Sequence, residues 1–310
     1  MLTNIDEYNS EDVVNASFQY IKERDWKFLP SGNYINDNFS IKNRSNLINW
    51  FYEVCWKYKS LPECFQEAVN LFDRYNSNNF NNFENIGIKY NYQCIIICYY
   101  VIVSKNKEVE PISMENLLDV SYNNYQSNEM IKTEKNILIT LGYNINYSSI
   151  LQFVRWLSPI FIHGAIIYTI SRYFANLCYL SSLSLKYTAS KMACACVFLA
   201  CFFHFKDNND IQTVISCIYE RMEFHIDDYL EISHKLIDFI ILLRNTLTYR
   251  SIYTGYTTFK NLKCSIFVDE NIDKTQELLS VLYPEPKIIV EKIAPTEKSF
   301  SRIIKDKLPY

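Results

Sequence analysis

A chain of 310 residues exceeds the usual span of one domain, so one large or two medium units are expected, each able to bury its own core. Only 5 glycines and 8 prolines stand against 49% hydrophobic and 16% aromatic residues, which disfavours a disordered chain or a turn-rich β-sandwich and favours helices. A formal net charge of -3 offers no general attraction to a phosphate backbone, so nucleic acid is not expected as a primary partner.

In chain order, Ser10 and Asp12 precede an amphipathic run ending near Arg24. This reads as an N-terminal helix, expected to pack on the first helical unit, and a loop with Pro30 and Gly32 leads from it towards Arg44. From about 43 to 59, Leu47, Ile48, Phe51, Val54 and Cys55 follow a helical period, and Pro62 opens the next helix in its first turn. The stretch Asn76 to Asn85 reads as a polar loop. A third run, about 89 to 104, is apolar on nearly every face, as in a helix surrounded by others, and Lys105 ends it. Ser113 and Ser127 are the expected N-caps of a fourth and fifth helix, the fifth carrying Glu134 and stopped by Gly142.

The order then recurs. Ser148 caps a run through Phe153 and Trp156, followed by runs over 165–180, 187–205, 210–221 and 227–248. Lys186-Tyr187 opens the apolar run here as Lys89-Tyr90 opens the third helix before, which predicts a second five-helix unit. The most apolar stretches, near 93–103 and 192–205, fall short of the ~20 residues of a membrane span and read as core helices, so no membrane partner is expected. The expected fold is all-α. It has an N-terminal helix and linker (1–42), two five-helix units (43–145 and 146–249), and a C-terminal tail (250–310) with Pro284, Pro286 and Pro295 and no assigned role.

Catalytic chemistry finds no support. His163, His204, His225 and His234 lack zinc spacing with the cysteines, and Cys194 and Cys196 diverge by about 200° on a helix, so the histidines read as core packing. No glycine-rich loop follows a strand to cradle a nucleotide. No catalytic residue, metal or cofactor is expected, and the chain is not read as an enzyme. The ten cysteines lie mostly in apolar runs such as Cys94-Ile-Ile-Ile-Cys98, with no secretory signal, which reads as reduced thiols in an intracellular protein; nucleus and cytoplasm are the expected compartments. Lys105 alone is a cation at a helix C-terminus, and Glu134 alone a solvated helix charge.

Five ordered segments carry a resemblance. They are Arg44-Ser-Asn-Leu-Ile-Asn-Trp50-Phe-Tyr-Glu53-Val, Ala68-Val-Asn-Leu-Phe-Asp73-Arg-Tyr, Val-Ile-Val-Ser-Lys105-Asn-Lys-Glu108, Ser113-Met-Glu-Asn-Leu-Leu and Ser127 through Tyr143. Together they resemble a cyclin box. The segment Tyr249-Arg-Ser-Ile-Tyr253-Thr-Gly-Tyr256-Thr-Thr-Phe259-Lys260 resembles the broken helix that packs back after the second box in mitotic-type cyclins, so the likeness to twin-box cyclins covers about 15–265.

The resemblance implies a regulatory subunit that binds and activates a cyclin-dependent Ser/Thr protein kinase, positioning its αC helix and activation loop, in control of the cell cycle. Lys105 and Glu134 fall on the pair that grips the kinase, with Leu138 and Tyr143 as apolar contacts on that face and Glu108 among the contact residues. Arg44 and Asp73 fall on a buried ion pair joining the first two box helices. Leu47, Trp50, Glu53 and Gln93 match a patch that docks Arg-x-Leu motifs of kinase substrates. Asn43 and Asn46 replace its other apolar residues, Asn49 replaces an aspartate, and Asn106 and Lys107 also depart from the family pattern. Arg244-Asn-Thr-Leu247 has the form of a destruction motif but lies in a predicted helix. Two alternatives stay open: a cyclin-fold general transcription factor, which needs a basic surface and normally a zinc ribbon, and a kinase-independent helical scaffold.

Overall fold

The computed structural model describes residues 10–36, 39–79, 92–120, 126–205 and 208–285, and among these it has thirteen α-helices and no strand. After α1 (Ser10–Arg24), the first five-helix unit comprises α2 (Ile41–Lys57), α3 (Pro62–Asn79), α4 (Tyr92–Lys107), α5 (Met114–Val120) and α6 (Ser127–Thr140). Local chemistry sets these boundaries. Ser40 Oγ accepts the Asn43 amide at 3.3 Å to start α2, and Ser113 Oγ accepts the Asn116 amide at 3.2 Å to start α5. Helix α6 departs from the expected cap: Gln126, not Ser127, holds that position, and its own N–H donates to the Glu129 carboxylate at 3.2 Å. Gly142 takes a left-handed φ of +57° just beyond α6, where glycine meets no Cβ penalty.

Helix α4 is buried from Cys94 through Ser104 and forms the axis of the first unit, packed on α2, α3 and α6. The second unit comprises α7 (Ile150–Leu157), α8 (Gly164–Leu180), α9 (Ala189–His204), α10 (Asn208–Met222) and α11 (Asp227–Thr246). Its axis is α9, buried from Met192 through Phe203 and surrounded by α7, α8, α10 and α11. Helix α12 (Arg250–Gly255) then folds back onto α2 of the first unit. The approach is close because Gly255 lacks a Cβ, which would sit 2.8 Å from the Tyr52 hydroxyl oxygen.

Besides the cap of α6, and Ser149 in place of Ser148 as the cap of α7, four expectations change. The N-terminal helix packs on the second unit, not the first: Phe18 stacks on Trp156 with centroids 4.6 Å apart, and Lys22 bonds the Met222 carbonyl at 3.1 Å and Glu223 at 2.6 Å. Amphipathic spacing specifies an apolar face, not the surface that receives it. Second, α3 runs on to Asn79, so Asn76 is helical, its amide donating to the Phe72 carbonyl at 2.7 Å; residues 80–85, Lys89 and Tyr90 lie outside the described residues. Third, much of the supposed tail is α13 (Cys264–Leu282), which buries Val268, Ile272 and Leu279 in its packing on α8, α9 and α11; Pro286 and Pro295 lie outside the described residues. Fourth, core packing holds for His234 alone: His163 and His225 are exposed and His204 is half-buried. Among the described residues, no helix is long and apolar enough to cross a membrane.

Candidate partner-binding surface

Helices α4 and α6 pack together, and at the end of that packing Lys105 Nζ lies 2.6 Å from Glu134 Oε1. The lysine side chain is 53% exposed and the glutamate 15%. With its lysine half in solvent, the pair contributes about 1 kcal/mol to stability, and it holds two opposite charges in register at the surface. Leu138, one turn beyond Glu134, is half-buried, and Tyr143 is 67% exposed in a left-handed conformation (φ +57°), its N–H bonded to the Leu138 carbonyl at 2.8 Å.

Ile131 and Ile139 of α6 and Val109 just after α4 are also exposed, Ile139 farther round its helix than Glu134; the sequence reading did not include them. The two isoleucines were legible: they fall out of phase with the buried stripe of Met130, Thr133 and Ile137 on α6.

Glu108 is turned inward. Its Oε1 accepts the Leu61 amide at 3.0 Å and its Oε2 the Ser104 hydroxyl at 2.7 Å, which ties the end of α4 to the start of α3. Below it, Glu67 is almost fully buried on α3, with Lys107 Nζ 3.0 Å from its Oε1. Burial pushes the Glu67 carboxyl up to about 7, against the opposing pull of Lys107.

Arg44 and Asp73 are both fully buried and form a two-pronged pair, Nε to Oδ1 at 2.9 Å and Nη2 to Oδ2 at 2.6 Å. Burial works against the charged guanidinium, yet Asp73 and Tyr34 hold its pKa above the ordinary value. The Tyr34 hydroxyl also donates to Asp73. The same arginine reaches the second unit: Nη1 donates to the Tyr179 carbonyl at 3.0 Å and the Ser181 carbonyl at 2.8 Å, and Nη2 to Ser184 Oγ at 3.0 Å. Ser45 Oγ donates to the Leu180 carbonyl at 2.9 Å. The carbonyl end of α8 is thus satisfied by α2. A second tie runs through Gln66, which accepts the Leu151 amide at 3.2 Å and donates to Asn176 Oδ1 at 3.0 Å; Asn176 donates in turn to the Tyr256 hydroxyl at 3.1 Å.

On α2, Leu47 and Trp50 are half-buried, Asn43 and Asn46 exposed; Gln93 is half-buried in the first turn of α4. Helix α12 engages this face. Asn49 Oδ1 accepts the Ser251 amide at 3.2 Å, and the Ser251 hydroxyl donates to the Glu53 carboxylate. Arg244 forms a two-pronged pair with Asp273 of α13 at 2.7 and 2.9 Å, and Leu247 is the left-handed residue that closes α11. All ten cysteines lie in helices, nine of them buried, and no group of three or more His, Cys, Asp or Glu among the described residues could hold a metal ion.

Comparison with known proteins agrees with this architecture. The profile described as "Cyclin, N-terminal domain" matches residues 16–146, and "Cyclin, C-terminal domain" matches 149–270. The G2/mitotic-specific cyclin-B of Emericella nidulans is 25% identical over 269 residues, 86% of this chain and 53% of that protein. The G2/mitotic-specific cyclin cdc13 of Schizosaccharomyces pombe is 26% identical over 267 residues, 86% of this chain and 52% of that protein. The chain therefore spans about half the length of these relatives. A viral cyclin from Herpesvirus saimiri shares the fold with a TM-score of 0.52 at 15% identity, over 66% of this chain and 96% of that one. Cyclin-family proteins are non-catalytic regulatory subunits. With both domain profiles matched in tandem on an all-α fold of two five-helix units, this chain belongs to the cyclin family.

Proposed function

We propose that the chain binds and activates a cyclin-dependent Ser/Thr protein kinase in control of cell-cycle progression, with G2 and mitosis as the stage its relatives' names carry. The observation that carries this reading is the Lys105–Glu134 pair at 2.6 Å, displayed on the α4–α6 packing, with Ile131 exposed one turn before Glu134 and Tyr143 exposed just after α6. An ammonium supplies three donors and a carboxylate only acceptors. Lys105 suits the free carbonyls at the C-terminus of a partner helix, and Glu134 suits backbone N–H groups nearby. The apolar residues around them bury against the same helix.

In such a kinase the αC helix must swing inward, so that its glutamate meets the lysine that orients the ATP phosphates, and the activation loop must open. A surface that fits only the inward position selects it. Moving the kinase from about 1% to 99% active requires roughly 10⁴-fold tighter binding to the active form. The rigidity of α4, buried over eleven consecutive residues from Cys94 to Ser104, suits a template for that choice. In this reading Leu47 and Trp50 offer a substrate-docking patch, made more polar by Asn43 and Asn46, with Glu53 already bonded to Ser251.

The test is capture from the source cells with wild type and a Lys105→Ala/Glu134→Ala variant, each checked for folding by circular dichroism. Wild type retains an active kinase and the folded variant loses it. Equal capture by both would remove this surface from the account, and failure of wild type to retain any kinase would refute the function itself.

A further inference from the structure

One pair of side chains belongs neither to the partner surface nor to the joint between units. Consecutive helices α8 and α9 pack together and bring the residue before α8 next to the last residue of α9. His163 Nδ1 lies 2.9 Å from His204 Nε2, the rings perpendicular at 89° with centroids 5.1 Å apart. These residues are 41 positions apart, beyond any local metal motif.

Both are held by their surroundings. His163 adopts a left-handed φ of +65°, and its carbonyl accepts the Ile166 amide at 2.8 Å and the Ile167 amide at 3.2 Å. The next residue, Gly164, sits so close to the preceding turn that a Cβ would lie 2.7 Å from the Ser158 carbonyl oxygen. His204 is fixed in the last turn of α9 with the Phe205 ring beside it. His163 is exposed and His204 half-buried, so the space beside the pair is open to solvent.

We propose that His163 and His204 form a two-histidine site for a divalent transition-metal ion, which clips the start of α8 to the end of α9. With metal–nitrogen bonds of about 2.0–2.1 Å, nitrogens 2.9 Å apart subtend about 90° at a shared ion. Rotation of a ring changes this separation and the angle with it, so the pair admits Ni²⁺, Cu²⁺ or Zn²⁺, all of which take imidazole nitrogen. In the empty pair one ring lends its N–H and the other its lone pair. On metal binding the bridging proton moves to the other nitrogen of its own ring, both imidazoles stay neutral, and rotation of the exposed His163 ring points both lone pairs at the ion. The C-terminal dipole of α9 favours a cation at this position. Water completes the coordination.

The test is calorimetric titration of the full chain with Ni²⁺, for wild type, His163→Gln, His204→Gln and the exposed control His225→Gln. One ion binds per wild-type chain, either pair variant loses about 10²-fold in affinity, the gain expected of a second tethered ligand, and the control is unchanged. Unaltered binding by both pair variants, or no binding by wild type, would overturn the site. Electron paramagnetic resonance of Cu²⁺ on wild type needs no variant: two coordinated nitrogens support the clip, and fewer than two refute it.

Discussion

Arg44→Ala should do more damage than any single change at the exposed charges. The substitution leaves Asp73, wholly inaccessible to solvent, with the Tyr34 hydroxyl as its one side-chain partner among the described residues, and breaking a buried pair in this way costs roughly 3–5 kcal/mol. It also strips donors from the Tyr179 and Ser181 carbonyls and from Ser184, each a further loss of about 1–3 kcal/mol unless water enters the vacated volume. Against a total stability of about 5–15 kcal/mol, the upper part of the first range already removes a third or more. Urea unfolding followed by circular dichroism measures the loss. Hydrogen exchange locates it, with faster exchange of the amides near 179–184 in the folded variant, because α2 no longer holds the end of α8. Replacing both charges, Arg44→Met with Asp73→Leu, should recover much of the stability without restoring the α8 contacts. A loss below about 1 kcal/mol, or a double variant no better than Arg44→Ala, would refute the reasoning.

Glu67→Gln changes how stability depends on pH. With Glu67 raised by burial to about 7 from an ordinary 4.5, the unfolded chain gives up a proton in that window that the folded chain keeps, so stability falls as pH rises, by ~3 kcal/mol in all. The variant lacks this slope, and its stability relative to wild type should climb between pH 5 and pH 8; a constant difference in urea unfolding would contradict it. Phe18→Ala removes a stacked pair worth about 0.5–1.5 kcal/mol beyond its buried area, so amides of α1 should exchange faster while α4 is unaffected. Lys105→Ala should change stability by about 1 kcal/mol, since its ammonium is half in solvent; a loss of several kcal/mol in thermal unfolding would mean that the pair holds the fold rather than a partner.

Sequence alone reached the all-α class and the five-plus-five order because the runs that become α4 and α9 are apolar on every side, and because Pro62, Ser113 and Gly142 act on their own neighbours. Partner choice across long separations was not legible. Nothing near Phe18 names Trp156, and nothing near Arg44 names the carbonyls 135 and 137 residues away. The prolines at 284 and 286 mark a tail only beyond Cys264–Leu282, whose spacing of Val268, Ile272, Thr275 and Leu279 is that of a packed helix. At the partner surface, Lys105 and Glu134 come from separate helices and read singly as solvated charges. Their pairing depends on the α4–α6 packing, and the family likeness supplied it before the coordinates did. Glu108 shows the opposite limit: the family likeness set it among the partner contacts, while the open N-terminus of α3 draws its carboxylate inward.

The central claim is activation, and reconstitution tests it most directly: purified chain added to a purified, monomeric cyclin-dependent kinase, with phosphate transfer to a histone substrate followed over time. Transfer should rise steeply and saturate at one chain per kinase, and Lys105→Glu/Glu134→Lys should shift the half-saturating concentration upward without unfolding the chain. Kinase activity that stays at its basal level at saturating chain, across the cyclin-dependent kinases of the source cell, would contradict the account.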